Sequence, residues 1–484
     1  MDPRRVLVAG AGVSGRSAAA ALVATGADVL VADASEVRLA ALDVPGVRTV
    51  VDLAEPPEGT ELVVTSPGWR PDAPLLAAAA RAGIEVIGEV ELAWRLDRAR
   101  PAPACWLAVT GTNGKTTTVG MLESILRAAG RDAVACGNVG LPVVDAVLAG
   151  HAVLAVELSS FQLYWSPSVR PHAGAVLNVA EDHLDWHGSM AAYAHAKGAV
   201  LTGEVAVAGI DDPLAARLLA ESPAPRKVGF TLGEPAIGQL GVHGGHLLDR
   251  ATVPAGGVAP AGEVGPAGEV RPAGEVGPAA SAGGGGTVLA DVADIRPPGP
   301  TGVANALAAA ALARSAGVRP AEVAAGLRAF EPGAHRGAVV ATRRGVRYVD
   351  DSKATNPHAA AAALRAFHGV VWIGGGLLKG AAVDELVAGS AHRLAGAVLI
   401  GADRAEIAAA LARHAPDVPV REVASGDDGA MVEAVRVASG MARPGDVVLL
   451  APAAASMDMF TDYRHRGEAF AAAARALPGD EGAA

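Results

Sequence analysis

The chain has two cysteines, five lysines and five asparagines in 484 residues, and aromatic side chains make up only 3% of it. Cys105 and Cys136 have no metal-binding or redox spacing, which excludes a disulfide framework and predicts reduced thiols. No apolar run reaches the roughly 18 residues that would suggest a membrane span. A basic excess is also missing: 40 Lys and Arg against 51 Asp and Glu leave a formal net charge of −11. That balance argues against a protein built around nucleic-acid backbone contacts. The first residues, MDPRRVLVAGAG, pass straight from two arginines into a strand pattern with no signal-peptide cleavage pattern. A cytoplasmic protein is the expectation.

What is present suits a large globular enzyme. The hydrophobic fraction is 51% and the charged fraction 19%, enough apolar surface for several cores. At about 150 residues per domain the length predicts roughly three domains. The basic side chains are 35 arginines and only 5 lysines. In a chain that has drifted so far toward Arg, each surviving lysine or asparagine deserves a reason. Lys115, Lys197, Lys353 and Lys379 all fall in or beside Gly-rich turns, strand ends or His/Asp clusters. So do Asn113, Asn138, Asn178, Asn305 and Asn356; Lys227 alone does not.

Strand and helix patterns alternate along the chain, the rhythm of parallel α/β sheets. Strands are expected at Arg5–Ala9, Asp28–Ala32, Glu61–Thr65 and Ile84–Ile87, with a helix at Gly15–Thr25. Arg98–Ala104 carries two prolines and reads as a linker. A second unit begins at Trp106, with strands near Leu107–Thr110, Ala152–Val156 and Gly174–Leu177. In residues 251–286 the hexad PAGEVG recurs, its prolines at Pro260, Pro266, Pro272 and Pro278. Low complexity with Pro and Gly predicts a disordered insertion. After an Ala-rich helix at Asn305–Arg314, a third α/β unit has strands at Arg347–Val349, Val370–Ile373, Ala397–Ile400, Pro419–Val423 and Val447–Leu450.

Several clusters carry chemistry. Gly10-Ala11-Gly12-Val13-Ser14-Gly15 follows the first strand and opens a helix, a turn that lets a phosphate approach the helix start. Asp33, ending the second strand, could take a ribose hydroxyl. A more specific signal is Thr110-Gly111-Thr112-Asn113-Gly114-Lys115-Thr116-Thr117, between an apolar strand and a helix. Backbone amides of such a loop cradle phosphates, its lysine reaches the terminal phosphates and its Thr116 hydroxyl can ligate Mg²⁺. Val109 stands where the first Gly of the usual P-loop would be. Glu157 ends a neighbouring strand, where a carboxylate can help hold the metal. His183 follows Glu181-Asp182, and Lys197 comes fourteen residues later. Either would be unremarkable on a solvated surface. Three further polar clusters follow strands of the third unit. These are Asp350-Asp351-Ser352-Lys353-Ala354-Thr355-Asn356, Gly374–Gly380 with Lys379, and Ala451–Asp458 with Ser456. Ser456 could cap a helix or bind a carboxylate.

GTNGKT, EDH, DSKATN, GGGLLKG and APAAASMDMFTDYRHRG resemble the Mur ligases of peptidoglycan synthesis, over essentially the whole chain except 251–286. The resemblance implies three domains: a Rossmann-like N-terminal domain (1–100) for the UDP-substrate, a P-loop ATPase-type central domain (101–331), and a Rossmann-like C-terminal domain (332–484) for the amino acid. DSKATN and the S-x-D-x-F…R-G segment are narrower. They resemble the branch that adds D-glutamate to UDP-N-acetylmuramoyl-L-alanine with ATP, as a monomer without nucleic-acid or membrane partners. The resemblance implies ATP on Gly111, Thr112, Asn113, Gly114, Lys115, Thr116 and Thr117, with Asn305 near adenine, Arg336 near the phosphates and Asp351 at the ribose. Two Mg²⁺ ions would be held by Thr116, Glu157, His183 and a carbamylated Lys197. Lys115, His183 and Lys197 would be the catalytic residues. Ser14, Asn138, Lys353, Thr355, Lys379, Ser456 and Tyr463 would contact the other two substrates. Ala34-Ser35 follows Asp33 where some members have Thr-Arg, which leaves the uridine contacts open. Other readings are a folylpolyglutamate synthetase, a nicotinamide-dependent oxidoreductase and a nucleotide switch. The first does not need the N-terminal Gly loop, the second leaves the P-loop idle, and the third lacks an Asn-Lys-x-Asp motif.

Overall fold

The structure, a computed structural model, describes residues 5–251, 281–282, 286–424 and 429–478. The Pro/Gly hexads lie outside the described residues, while at the far end of the expected disordered insertion Ser281–Ala282 and Gly286 are strand residues. Backbone contacts group the chain into two compact units. One is Met1–Asp294 with Ala304–Phe330; the other is Ile295–Val303 with Glu331–Ala484.

The first unit contains two sheets. Strands β1 (Arg5–Ala9), β2 (Asp28–Asp33), β3 (Arg48–Val51), β4 (Leu62–Thr65) and β5 (Glu85–Gly88) pair in the order β3-β2-β1-β4-β5. All the pairs are parallel. Val6, Leu7 and Val8 of β1 are all buried, as expected for a strand covered on both faces. β3 escapes a sequence reading because it is a short edge strand, mostly exposed and without a clear apolar run.

The second sheet has ten strands. They are β6 (Cys105–Thr110), β7 (Ala133–Gly137), β8 (Val153–Glu157), β9 (Ala173–Val176), β10 (Val205–Gly209), β11 (Arg226–Phe230), β12 (Gln239–His243), β13 (His246–Asp249), β14 (Ser281–Ala282) and β15 (Gly286–Asp291). Their order is β14-β15-β13-β12-β11-β10-β9-β6-β8-β7. β7 through β12 in that order are parallel, and an antiparallel extension of β13, β15 and β14 continues the edge.

A single apolar core runs through both sheets' layers, from Val6, Val8 and Leu22 to Trp106, Val144 and Leu154. The helix Glu89–Arg98 joins them and buries three carboxylates. Glu89 accepts from the Val144 amide at 2.7 Å. Glu91 accepts from the amide and hydroxyl of Ser168. Asp97 accepts from the Ala104 amide at 3.0 Å and the Trp106 indole at 2.9 Å. Arg98–Ala104 is therefore a fastened turn rather than a loose linker.

Burial, with the nearby Asp145 charge, pushes the Glu89 carboxyl up to about 7. A carboxyl raised in the folded state holds its proton while the unfolded chain has released its own, so folding stability falls as pH rises from about 4.5 to about 7. Glu89→Gln is expected to remove roughly 3 kcal/mol of that fall. Melting temperatures of variant and parent at pH 5 and pH 8 would check it; an identical pH dependence of the two would refute it.

The second unit is built on β16 (Ala338–Arg343), β17 (Val346–Asp350), β18 (Val370–Gly375), β19 (Leu394–Ile400), β20 (Val420–Glu422) and β21 (Val447–Leu450). The order is β16-β17-β21-β18-β19-β20, parallel except for the antiparallel edge β16. Val371, Trp372, Ile373, Leu449 and Leu450 fill its core from both faces.

Candidate functional site

The P-loop lies between β6 and the helix Lys115–Ala128. Gly114 is in the left-handed region at φ +86°, and a Cβ there would stand 2.3 Å from Asn305 Oδ1. Only glycine allows that turn together with so close an asparagine. Asn305, from the helix Pro300–Ser315, is buried with its side chain against this loop. Asn113 is bracketed by Asn178 beyond the end of β9: its amide donates to Asn178 Oδ1 at 2.9 Å, and Asn178 Nδ2 donates to the Asn113 carbonyl at 3.1 Å. Thr112 and Tyr193 share a hydrogen bond between hydroxyls at 3.1 Å. Thr116 is half-buried and Thr117 buried at the start of the helix.

Two amines meet at one carbonyl. Lys115 Nζ donates to Gly111 O at 2.9 Å and to Thr112 O at 3.0 Å. Lys197 Nζ, from the helix Met190–Gly198, donates to the same Gly111 O at 2.8 Å. Lys197 is 1% exposed and its amine lies 4.4 Å from the centre of the Tyr193 ring. Burial, and after it the Lys115 cation, pulls the Lys197 amine well below the usual lysine range. Asp182 opposes this weakly.

Glu157 sits at the end of β8 with Val109 of β6 as its register partner. That is one strand over from the phosphate loop. Its carboxylate is 3% exposed and accepts from Asn138 Nδ2 at 2.9 Å, while the Asn138 amide donates to the Glu157 carbonyl at 2.9 Å. Two expected site residues thus come from adjacent strands and bond directly. His183 has φ +54° before a short helix, and its ring lies against Phe161 at 4.7 Å between centres. Burial lowers its pKa, against Asp182 and Asp185 and with the two nearby lysine amines acting in the same direction as burial. The shift favours the neutral imidazole, the form that binds metals. His187 is driven down to about 4, first by burial.

Among the described residues no three His, Cys, Asp or Glu side chains stand together as a metal site. The donor set at the loop consists instead of a buried carboxylate, a neutral imidazole and threonine hydroxyls. Its hard oxygens suit Mg²⁺ once phosphate or another anionic oxygen completes the shell.

The N-terminal Gly loop is braced from below. Asp33 accepts from the amides of Ala11 and Ser35, each at 2.8 Å, and from Arg38 at 2.8 Å. Burial raises its pKa, but those bonds outweigh burial and hold it below the carboxylate norm. Asp33 therefore shapes the loop; its carboxylate is already engaged by protein donors, contrary to the ribose-binding expectation. Ser14 is half-buried in the first turn of the helix that follows.

In the second unit the expected residues gather at the carboxyl ends of β17, β18 and β21. Lys353 Nζ lies 4.1 Å from the Tyr463 ring centre. Burial and the Asp350 charge push the Asp351 carboxyl up to about 7, with Arg336 acting in the other direction. Thr355 is half-buried; Lys379 is exposed at φ +54° on the loop after β18. Ser456 is buried in a turn and starts no helix; Asp462 instead caps the helix Tyr463–Ala476 by accepting from the Arg464 and His465 amides. The helix-cap reading of Ser456 is thereby corrected.

Sequence reading missed the supports. Arg466, 1% exposed, donates to Ser352 Oγ at 3.0 Å, Ser352 O at 2.9 Å and Ala454 O at 3.1 Å, tying two loops together. His335 Nδ1 meets Asp350 Oδ2 at 2.6 Å. Tyr193, one of four tyrosines, lies beneath Lys197. Rarity could have flagged Tyr193; Arg466 is the arginine of the R-G segment that carries the family resemblance, but that motif gives it no burial and no partners.

Residues 109–243 match the model of the Mur ligase middle domain, and residues 335–454 that of the Mur ligase glutamate ligase domain. The chain is 55% identical over 490 residues to a UDP-N-acetylmuramoylalanine–D-glutamate ligase from Thermobifida fusca, covering 98% of this chain and 99% of that protein. It is 53% identical over 496 residues to the protein of the same name from Nocardia farcinica, covering 98% and 97%. Among solved structures it is similar in fold to UDP-N-acetylmuramate-alanine ligase from Thermotoga maritima, with a TM-score of 0.54 and 18% identity, covering 96% of this chain and 98% of that one.

Proposed function

The chain belongs to the Mur ligase family, and we infer from that premise that it joins D-glutamate to UDP-N-acetylmuramoyl-L-alanine in an ATP-dependent ligation of peptidoglycan precursor synthesis. The relatives' shared name supplies the substrates. The observation that carries the chemistry is the Gly111 carbonyl shared by Lys115 and the buried Lys197 at a phosphate-binding loop.

A carboxylate is a poor electrophile. Transfer of the γ-phosphoryl group of ATP to the L-alanine carboxylate gives an acyl phosphate and ADP. The neutral amine of D-glutamate then adds to its carbonyl carbon, phosphate leaves, and the amine's proton is lost as the amide forms. Phosphoryl transfer asks the protein mainly for position and charge. Lys115 holds the phosphates, Arg336 adds a second cation, and Asn305 and Asp351 hold the nucleoside. Thr116, Glu157, His183 and a carbamate on Lys197 would hold Mg²⁺, which neutralises phosphate charge when bound. Ser14 and Asn138 orient the sugar nucleotide. Lys353, Thr355, Lys379, Ser456 and Tyr463 receive D-glutamate.

These roles divide the chain into a UDP-substrate domain (1–100), an ATP domain (101–331) and an amino-acid domain (332–484). Among the described residues no helix is long and apolar enough to cross a membrane. The proposed location is the cytoplasm, where ATP is available.

Phosphate release that requires ATP, UDP-N-acetylmuramoyl-L-alanine and D-glutamate together is the expected result. Release independent of D-glutamate would sink the reading. Lys379→Ala or Ser456→Ala is expected to raise the D-glutamate KM far more than the ATP KM, through loss of a contact to a carboxylate of ~1.5–3 kcal/mol. An unchanged D-glutamate KM with a raised ATP KM would refute the amino-acid assignment.

A further inference from the structure

Glu89 is 4% exposed, far along the chain from the phosphate loop, and has no part in the chemistry above. Its Oε1 accepts from the Val144 amide at 2.7 Å, in the first turn of the helix Val143–Leu148. The same short helix is held from another side: Asp145 Oδ1 accepts from Ser17 Oγ at 2.5 Å. Ser17 belongs to the helix Val13–Ala24 that begins at the N-terminal Gly loop. Immediately before the short helix, Pro142 follows a tight loop closed by the Gly137 amide on the Leu141 carbonyl at 2.8 Å. That loop carries Asn138, whose amide group donates to Glu157.

We propose that Glu89 is a positioning residue for the sugar-nucleotide substrate, fixing the Val143–Leu148 helix and through it the loop that presents Asn138. The inference rests on the assignment of Asn138 and of the Gly loop to that substrate. The physical argument is one of cost. A buried carboxylate loses hydration that the two backbone donors, the Val144 and Val143 amides, do not fully replace, and its carboxyl is driven up to about 7. An apolar side chain would join two sheets at least as well. What an apolar side chain lacks is direction: a carboxylate accepting a main-chain amide sets the register of the helix, and with it the height of Asn138 beside Glu157. Ser17 and Asp145 tie the same helix to the Gly-loop helix, so both expected contacts of the sugar nucleotide refer to one element.

The test is a double-mutant cycle read by calorimetric binding of UDP-N-acetylmuramoyl-L-alanine and, separately, of a non-hydrolysable ATP analogue with Mg²⁺. Glu89→Ala is expected to weaken sugar-nucleotide binding roughly tenfold, with nucleotide binding within about twofold. The isosteric Glu89→Gln, which keeps an acceptor for Val144 and removes only the charge, is expected to fold and to lie between Glu89→Ala and the parent. In an Asn138→Ala background the Glu89→Ala effect is expected to shrink to about twofold or less, because the two act through one loop. Equal loss of both ligands, or a full tenfold effect that persists without Asn138, overturns the inference and leaves Glu89 a purely structural residue. Parent protein that binds no UDP-N-acetylmuramoyl-L-alanine overturns the site assignment itself, and this inference with it.

Discussion

Replacing Lys197 by arginine is expected to leave a folded protein whose turnover is lower by on the order of 10³-fold or more. The reason lies in the state of the amine. Lys197 is buried beside Lys115, and burial first, then that cation, pulls its pKa well below the usual lysine range and so favours the neutral amine. A neutral amine can add CO₂ and become a carbamate, an anionic oxygen donor of the kind Mg²⁺ prefers. A guanidinium stays protonated and does not do this. It would also set a second full charge against the Gly111 carbonyl that Lys115 already uses. The sign of the pH effect follows. As pH falls through the lowered pKa the amine takes a proton and the carbamate is lost, so activity falls on the acid side and added bicarbonate restores it above that point. The checks are turnover, melting temperature, and a ¹³C carbamate resonance after exposure to labelled bicarbonate. Full activity in Lys197→Arg would sink the carbamate.

Lys115→Ala is expected to lower ATP turnover by about 10²–10³-fold or more while the melting temperature stays within a few degrees. Lys115 is half-buried and donates to the Gly111 and Thr112 carbonyls of its own loop, so its loss removes little packing. A second effect is expected in the same variant. Without the Lys115 cation the Lys197 amine becomes easier to protonate, because that charge is one of the two causes that lower its pKa. The carbamate signal should therefore weaken at a given pH. A large drop in melting temperature together with lost activity would assign Lys115 a structural role instead.

Much of the site was legible because its signals are local. An apolar strand, a Gly-Lys turn and a helix within a dozen residues define a phosphate loop wherever they occur, and the structure has that loop between β6 and its helix. The strand cores Arg5–Ala9 and Val447–Leu450 have the boundaries their apolar runs suggest. Rarity added a second signal, since lysine and asparagine survive here mainly near the expected sites. What could not be read is which distant residues meet. Asp33 reads as a possible ribose ligand until its bonds to the Ala11 amide of the Gly loop and to the Ser35 amide are seen. Glu89 is one acid among 51 and carries no local mark of burial.

By itself the sequence determined the α/β class, the phosphate loop, the family and hence the reaction, because each depends on residues within a short window or on whole-chain likeness. Only the tertiary structure decided that Asn138 bonds Glu157, that Lys197 is buried with its amine on the Gly111 carbonyl, and that Glu89 bonds the first turn of the Val143–Leu148 helix. The reason is the sheet order β7-β8-β6-β9. It brings the carboxyl ends of strands far apart in sequence side by side, and a side chain's charge depends on what that order buries next to it.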